Sequence, residues 1–593
     1  MRTMPRARAA VVAVSVVVAL GLGGCTTSTP RANTGAPSSA SPATAGPTAS
    51  DRATNGTGPR LRGVALDVEV VPRYGRLEMT VEVDATYDNP FDGRQVALDA
   101  VFTGPDGAAV TVPGFWDAES AWRIRFTPHA AGTWQYSITL ADVAGEADPL
   151  AGRFEVAASD AHGWLQVGSW VDPGYSARYL AHHDGTPWYG RGHADLEMTL
   201  GGLDPDDGFR YLTDMAAAGE NYTMWWPLWA MNFIQNGYDA YAADQLHLID
   251  LAVEDAAAKN VVFVFTIWNH QLLRTGAHPW QNEKWPENGF SKLTDIKGFF
   301  TDDEAWAWQE NLYRYVIARW SYSPAIGMWQ TVSEINGTES YEYTDTWHQR
   351  VNDYFVEHDP YRHPTTATQS GSVDWPAGHA VMDAPQMHVY EFVEDPVEAA
   401  KRMAGWTELM WDRVAKPNWV GEYGEQGPQF YPELFHTANW ASLASGAAMT
   451  PTEWNDGFGY GFFTDEMAAD MSRFASFVDA VPLAALDPSA LDVTTSDPAV
   501  RAWAVAGTSG GVVWVQDFAL EGATMDVIRA DATIRRGVTV TLGGLPEGDY
   551  VVTPYDTWRG QWLDPLPVAC TVGPCPVALP DFHSDMALAL SAP

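Results

Sequence analysis

Between residues 61 and 158, apolar and polar positions alternate in short runs: RLEMTVEVD, VALDAVFT, AWRIRFTP, GTWQYSITL and GRFEVA. A two-residue period turns one face of each run to a core and the other to water, and turn-forming stretches (NPFDG, GPDG, PHAAG) separate the runs. The pattern predicts an antiparallel β-sandwich of about 100 residues. From 159 to 485 the grammar changes, and apolar runs alternate with segments of helical period. Strands are predicted at 187–192, 221–227, 260–270, 326–334, 364–370, 385–392, 418–424 and 446–454. Helical segments such as QLHLIDLAVEDAAAK, DEAWAWQENLYRYVIARW and DPVEAAKRMAGWTELMWDRV fall between them. Eight strands with intervening helices predict an α/β fold, a (β/α)8 TIM barrel with insertions. A doubly wound sheet is the alternative, but no glycine-rich phosphate loop follows the first strand. From 486 to 593 the short alternating runs return and predict a second all-β sandwich.

Composition narrows the partners. The 593 residues are too many for one core, and 46% are hydrophobic, which excludes a mainly disordered chain. A formal net charge of −40 repels phosphate backbones and anionic bilayers, so nucleic acid and the membrane surface are poor partners. The N-terminus carries Arg2, Arg6 and Arg8, then the apolar run VVAVSVVVAL, the order of a secretory signal. It ends in LGGC, which resembles a bacterial lipobox. That resemblance implies a signal over 1–25, lipidation of Cys25 and an exported protein anchored to the outer face of the cell membrane, its only tie to a membrane. Residues 26–60, rich in Ser, Thr, Pro, Ala and Gly, read as a flexible tether. Cys570 and Cys575 are spaced for a local disulfide, and no zinc-type ligand set accompanies them. No metal or cofactor is expected.

In a parallel barrel the residues just past the C-terminal ends of the strands share one rim. The predicted strands put Arg191 there from the first, Trp225 and Trp226 from the second, and Trp268, Asn269 and His270 from the third. Glu334 and Asn336 follow the fourth, His388 and Tyr390 the sixth, Glu422 the seventh and Trp454 the eighth. A carboxylate at the end of a buried strand needs a reason, since apolar packing solvates it poorly. Two on one rim, backed by histidines and aromatics, suit glycosidic bond cleavage: one protonates the leaving oxygen and the other attacks the anomeric carbon.

VSEING at the fourth strand and WVGEYGE at the seventh resemble the acid/base and nucleophile segments of the clan A retaining glycoside hydrolases. Glu334 and Glu422 lie 88 positions apart, close to three βα units of about 30 residues each. HVY at the sixth strand is similar to the His-x-Tyr of the cellulase-like members. The resemblance implies Glu334 as acid/base and Glu422 as nucleophile. It also implies Trp454 as a platform under the sugar, and an oligo- or polysaccharide with a β-linkage as substrate. Two positions depart from the clan. Ser333 stands where an Asn usually precedes the acid/base, and the second strand has no Arg, a role Arg191 is expected to take; Asn336 is expected to meet a sugar hydroxyl. FTPHAAGTWQYSITL with GRFEV resembles the immunoglobulin-like domain that precedes some bacterial glycosidase barrels. Two other readings are a non-catalytic carbohydrate-binding or adhesion lipoprotein with a degenerate barrel, and the solute-binding lipoprotein of a transporter.

Overall fold

The computed structural model describes residues 58–592, except 118–120, 195–202, 281, 372–373, 391–394, 425–431, 454–462, 521 and 523–533. The alternating runs near the start form two antiparallel sheets. One has the order Leu61–Leu66, Leu77–Val83, Trp122–Phe126, Phe115–Trp116. The other runs Val70–Pro72, Leu150–Ala157, Gly132–Asp142, Val96–Thr103, Ala109–Pro113. Inward positions of both sheets meet in one core that includes Met79, Phe102, Phe126, Trp134 and Ile138, with Phe102 and Phe126 stacked 3.9 Å apart. The alternation seen in the sequence is therefore the burial pattern of Leu77–Val83, in which every second side chain is hidden at first.

The middle of the chain is built on parallel strands. Tyr222–Trp225, Val262–Asn269, Ile326–Ser333 and Thr365–Thr366 pair in that order, and Gln386–Val389 pairs with Trp419–Tyr423. The two longest are buried at every position, as expected of parallel strands covered on both faces, so they read as unbroken apolar runs. Parallel bridges join Ser370 to His388, Tyr423 to Glu453, and Met449 to Gly190. Several expected strands are shorter than predicted, the one at 364–370 being only Thr365–Thr366. At 187–192 only Pro187–Trp188 is a strand, and it pairs antiparallel with Leu180–His182; at 446–453 only bridges form. Helices alternate with these strands, among them Ala243–Ala258, Asp303–Trp320, Thr344–His358, Pro396–Arg413 and Asp465–Val478. Their starts are encoded locally. Asp395 accepts from the Val397 and Glu398 amides ahead of Pro396, and Thr464 accepts from the Met467 amide.

A buried ionic cluster ties the first sheets to the parallel core. Asp250 accepts from Arg125 at 2.9 and 3.0 Å, from Arg319 at 2.8 and 3.0 Å, and from the Trp320 indole at 2.8 Å. After the last helices the chain forms a mostly antiparallel sheet including Val500–Gly507, Gly510–Asp517, Asp585–Ser591 and Gly548–Asp556. A smaller sheet, Asp492–Thr495, Thr539–Gly543 and Cys575–Ala578, shares its core, and Cys570 and Cys575 are joined by a disulfide. His436 on the helix Pro432–Ala444 meets Asp470 at 2.8 Å and Asp585 at 3.0 Å. Trp558 stacks on the His436 ring at 3.9 Å and donates to Asp585, so it is packing at this junction.

Candidate active site

Glu334 is the first residue past Ser333, and the chain turns sharply there. Its φ of 55° and ψ of 54° lie in the left-handed region, which a side chain with Cβ rarely adopts and which strained functional positions often hold. Thr368 fixes the turn: its hydroxyl accepts from the Glu334 amide at 2.8 Å, and its carbonyl accepts from Ile335 at 2.9 Å. Glu422 is part of Trp419–Tyr423, directly beside His388 in the parallel pairing. Both carboxyl groups are buried, with Glu334 6% and Glu422 1% exposed.

Four side chains converge. His388 Nδ1 is 2.9 Å from Glu334 Oε1 and 3.2 Å from Glu422 Oε2. The Tyr390 hydroxyl is 2.8 Å from Glu334 Oε1 and also hydrogen-bonds Glu422 Oε2. Ligand atoms of Glu334, His388 and Glu422 all lie within 4.8 Å of one another, close enough to share one cation. His388 itself supplies that positive charge. Burial works against its protonation, but Glu422 and Glu334 outweigh burial and push it up to about 9. His270 stands at 3.6 Å from Glu334 Oε2, and burial draws it down to about 4, so it is neutral at pH 7.

The two carboxyls are unequal. Burial raises Glu334, but the His388 hydrogen bond, the charges of His270 and His388 and the Tyr390 hydroxyl outweigh it and hold Glu334 at about 2. Burial raises Glu422, whose Oε1 has no hydrogen-bond partner among the described residues, and the charge on Glu334 pushes the same way, against His388 and Tyr390. The two carboxyls are thus shifted in opposite directions, Glu334 down and Glu422 up.

Glu334, Glu422, His388, Tyr390 and His270 thus come together. Trp226 lies edge-on to His270 with ring centres 6.2 Å apart. Five other expected contacts are corrected, and two expected residues lie outside the described ones. Arg191 accepts at its carbonyl from the Asn221 and Tyr222 amides, so it sits where the next strand begins, and its guanidinium pairs with Asp479. Trp225 is fully buried against Phe263. Trp268 packs in the helical layer and donates to the Tyr313 hydroxyl at 2.9 Å. Asn269 bonds Gln271 and caps the following turn at the Leu272 amide, and the Asn336 amide group is bonded to both the Ser370 carbonyl and its N–H. Trp454 and Cys25 lie outside the described residues. The sequence reading missed Arg274 and Trp280, in the loop that follows the strand Val262–Asn269. Their only signal was the position of RTGAHPW after the third strand.

Residues 70–141 match the model of a domain of unknown function, DUF5060. No curated protein matches. Among solved structures, a protein of Bacteroides vulgatus ATCC 8482 described as a glycoside hydrolase superposes with a TM-score of 0.61 at 16% identity, covering 89% of this chain and all of that one. A family 5 glycoside hydrolase from the same organism reaches a TM-score of 0.49 at 15% identity, covering 73% and 94%. The chain thus shares its fold with a protein described as a glycoside hydrolase.

Proposed function

We propose that this protein is a retaining glycoside hydrolase that cleaves a β-glycosidic linkage in an oligo- or polysaccharide. The observation that carries the reading is the approach of one carboxylate oxygen of Glu334 to within 4.8 Å of one of Glu422, the two bridged by the Tyr390 hydroxyl. Retaining enzymes hold their carboxyls roughly 5–5.5 Å apart, whereas inverting ones leave about 6.5–9.5 Å for a water. In this reading the parallel strands and their bridges are a (β/α)8 barrel of clan A, and the flanking sheets are an immunoglobulin-like sandwich and a C-terminal sandwich. The domains run 61–158, 159–485 and 486–593, behind a lipidated Cys25 that holds the enzyme on the cell surface. The superposition on the Bacteroides vulgatus protein at a TM-score of 0.61 supports the fold part of this reading.

Glu334 protonates the departing oxygen while Glu422 attacks the anomeric carbon. The C–O bond to the leaving sugar breaks as the Glu422 ester forms. Glu334 then takes a proton from water, whose oxygen displaces Glu422 and releases the sugar with retained configuration. A proton held by Glu422, the carboxyl that is shifted up, reaches Glu334 before the first step in this reading. Tyr390 bonds both carboxyls, so it can accept from Glu422 as its own hydroxyl hydrogen passes to Glu334. The hydrogen-bond asymmetry also favours a second reading with the roles exchanged: Glu334 as the ionised nucleophile and Glu422 as the acid.

Azide separates the two readings. With an activated aryl β-glycoside, the alanine variant of the nucleophile yields an α-glycosyl azide, and that of the acid/base yields a β-glycosyl azide. The α product from Glu422→Ala supports the first assignment, and the α product from Glu334→Ala the second. Full activity in both variants, or no glycosyl azide from either, removes the catalytic reading.

A further inference from the structure

The loop after Val262–Asn269 holds a charge that the mechanism leaves unused. Arg274 is 2% exposed, and its Nε and Nη1 are buried with no hydrogen-bond partner among the described residues. A buried donor left unbonded costs about 1–3 kcal/mol, and more when it is charged. Native chains rarely keep such groups, and one that persists beside a candidate active site points to a partner that arrives later.

Its place is close to the carboxyl pair. The Arg274 guanidinium lies 5.8 Å from the centre of the Trp280 ring, and Trp280 stands edge-on to His270 with centres 5.8 Å apart. His270 in turn faces Glu334 Oε2 at 3.6 Å. Gly337, three residues past Glu334, closes the group: a Cβ there would meet Trp280 at 2.7 Å and His270 at 2.8 Å. Arg274 and Trp280 therefore sit on the Oε2 side of Glu334, whereas His388 and Tyr390 meet it at Oε1. Trp280 is 42% exposed, unlike the tryptophans buried in the core. It offers an aromatic surface of the kind on which sugar rings stack. Glu339 uses its Oε1 to hold Thr275, at 3.0 Å from the amide and also at the hydroxyl. Burial draws Arg274 down to about 10, with Glu334, Glu283 and Glu339 opposing, so it remains charged at neutral pH.

We propose that Trp280 and Arg274 form a subsite beside Glu334 for a sugar bearing a carboxylate, a uronic acid, with the ring on Trp280 and the carboxylate on the guanidinium. This rests on the glycosidase reading for its meaning, but not for its test. Glu334, Glu283 and Glu339 already oppose part of the Arg274 charge at a distance, so what a ligand adds is direct contact: a carboxylate meets the bare N–H donors with two charge-assisted bonds, and a neutral hydroxyl with one weaker one. The net charge of −40 opposes an anion at long range, so the preference belongs to direct contact and is best read near 0.15 M salt, where screening reaches about 8 Å.

Calorimetric or NMR titration tests it. Glucuronate, galacturonate and mannuronate are each compared with the parent hexose on the unmodified protein, Arg274→Gln and Arg274→Lys. At least one uronate should bind about tenfold or more tighter than its hexose, the range of a charge-assisted hydrogen bond. Arg274→Gln should abolish the preference and Arg274→Lys retain part of it. No preference in the unmodified protein, or one that survives Arg274→Gln, overturns the subsite. Where Arg274→Gln does not fold, the unmodified protein and Arg274→Lys decide. Uronate preference without hydrolysis of any glycoside would leave the subsite standing and remove the catalytic reading. Hydrolysis of neutral glycosides without uronate preference would do the reverse.

Discussion

The Nδ1 of His388 lies 2.9 Å from Oε1 of Glu334. The same nitrogen reaches Glu422 Oε2 at 3.2 Å, so one imidazolium serves two buried carboxyls. Two like charges this close cannot both ionise cheaply, and His388, held at about 9, offsets part of their repulsion.

Replacing His388 by Asn removes that cation. A nearby positive charge lowers a carboxyl pKa, so its loss raises both. Glu334 should climb from about 2, and the acid limb of kcat/KM should move to higher pH. Activity at the optimum should fall about a hundredfold or more, the lower range for lost acid–base assistance. Profiles of kcat/KM against pH for both proteins check this. An unmoved acid limb would mean that His388 does not set the protonation of the pair.

Tyr390→Phe isolates the bridging hydroxyl, which bonds both carboxyls. Losing a hydrogen bond to a charged group costs about 1.5–3 kcal/mol, or roughly ten- to a hundredfold in kcat/KM. If Tyr390 carries the proton across, the loss falls on kcat and KM changes little. Steady-state kinetics with one aryl glycoside reads the split.

How far the sequence carried this site follows from strand phase. Val262–Asn269 and Ile326–Ser333 were legible because strands buried on both faces leave unbroken apolar runs. That fixed the end of the second of them, and with it the place of Glu334; His388 and Glu422 lie within the shorter buried strands Gln386–Val389 and Trp419–Tyr423. Arg191 was misplaced because Gly190 already bridges Met449, so the strand enters there and has not yet reached its far end. Trp268 was misread because alternation within a strand aims a side chain outward as readily as inward. Arg274 was invisible: nothing in RTGAHPW tells a solvated arginine from a buried one. The opposite shifts of Glu334 and Glu422 were equally hidden, since they depend on which oxygen collects the hydrogen bonds.

Asp250→Ala should destabilise the folded chain strongly, because it strips the buried Arg319 of its carboxylate and leaves Arg125 only Glu78. Breaking a buried pair on one side typically costs about 3–5 kcal/mol. The carboxyl pair lies elsewhere, so kcat/KM under native conditions should change little. Denaturant unfolding with an activity assay on the same samples separates the effects. Unchanged stability would mean the cluster does not hold the first sheets to the parallel core.

The His436 junction gives stability a pH dependence of the opposite sense from acid denaturation. His436 faces Asp470 on the helix Asp465–Val478 and Asp585 on the strand Asp585–Ser591, with the Trp558 ring stacked on it and Arg473 bonded to Asp470. Burial would lower it, but the two aspartates outweigh burial and raise it to about 9. Unfolded histidine titrates near 6.5. A group raised on folding contributes fully below its unfolded value and loses that contribution as pH climbs through its folded one. The junction should therefore keep its full strength up to about pH 6.5 and weaken as pH rises through 9, by an amount on the order of 3 kcal/mol. Thermal melts of the unmodified protein and His436→Gln at pH 6.5 and pH 10 test the sign. The difference between the two proteins should be large at pH 6.5 and shrink at pH 10. A difference that stays constant would show that His436 is neutral in the folded protein, and that the junction is held by hydrogen bonding without the charge.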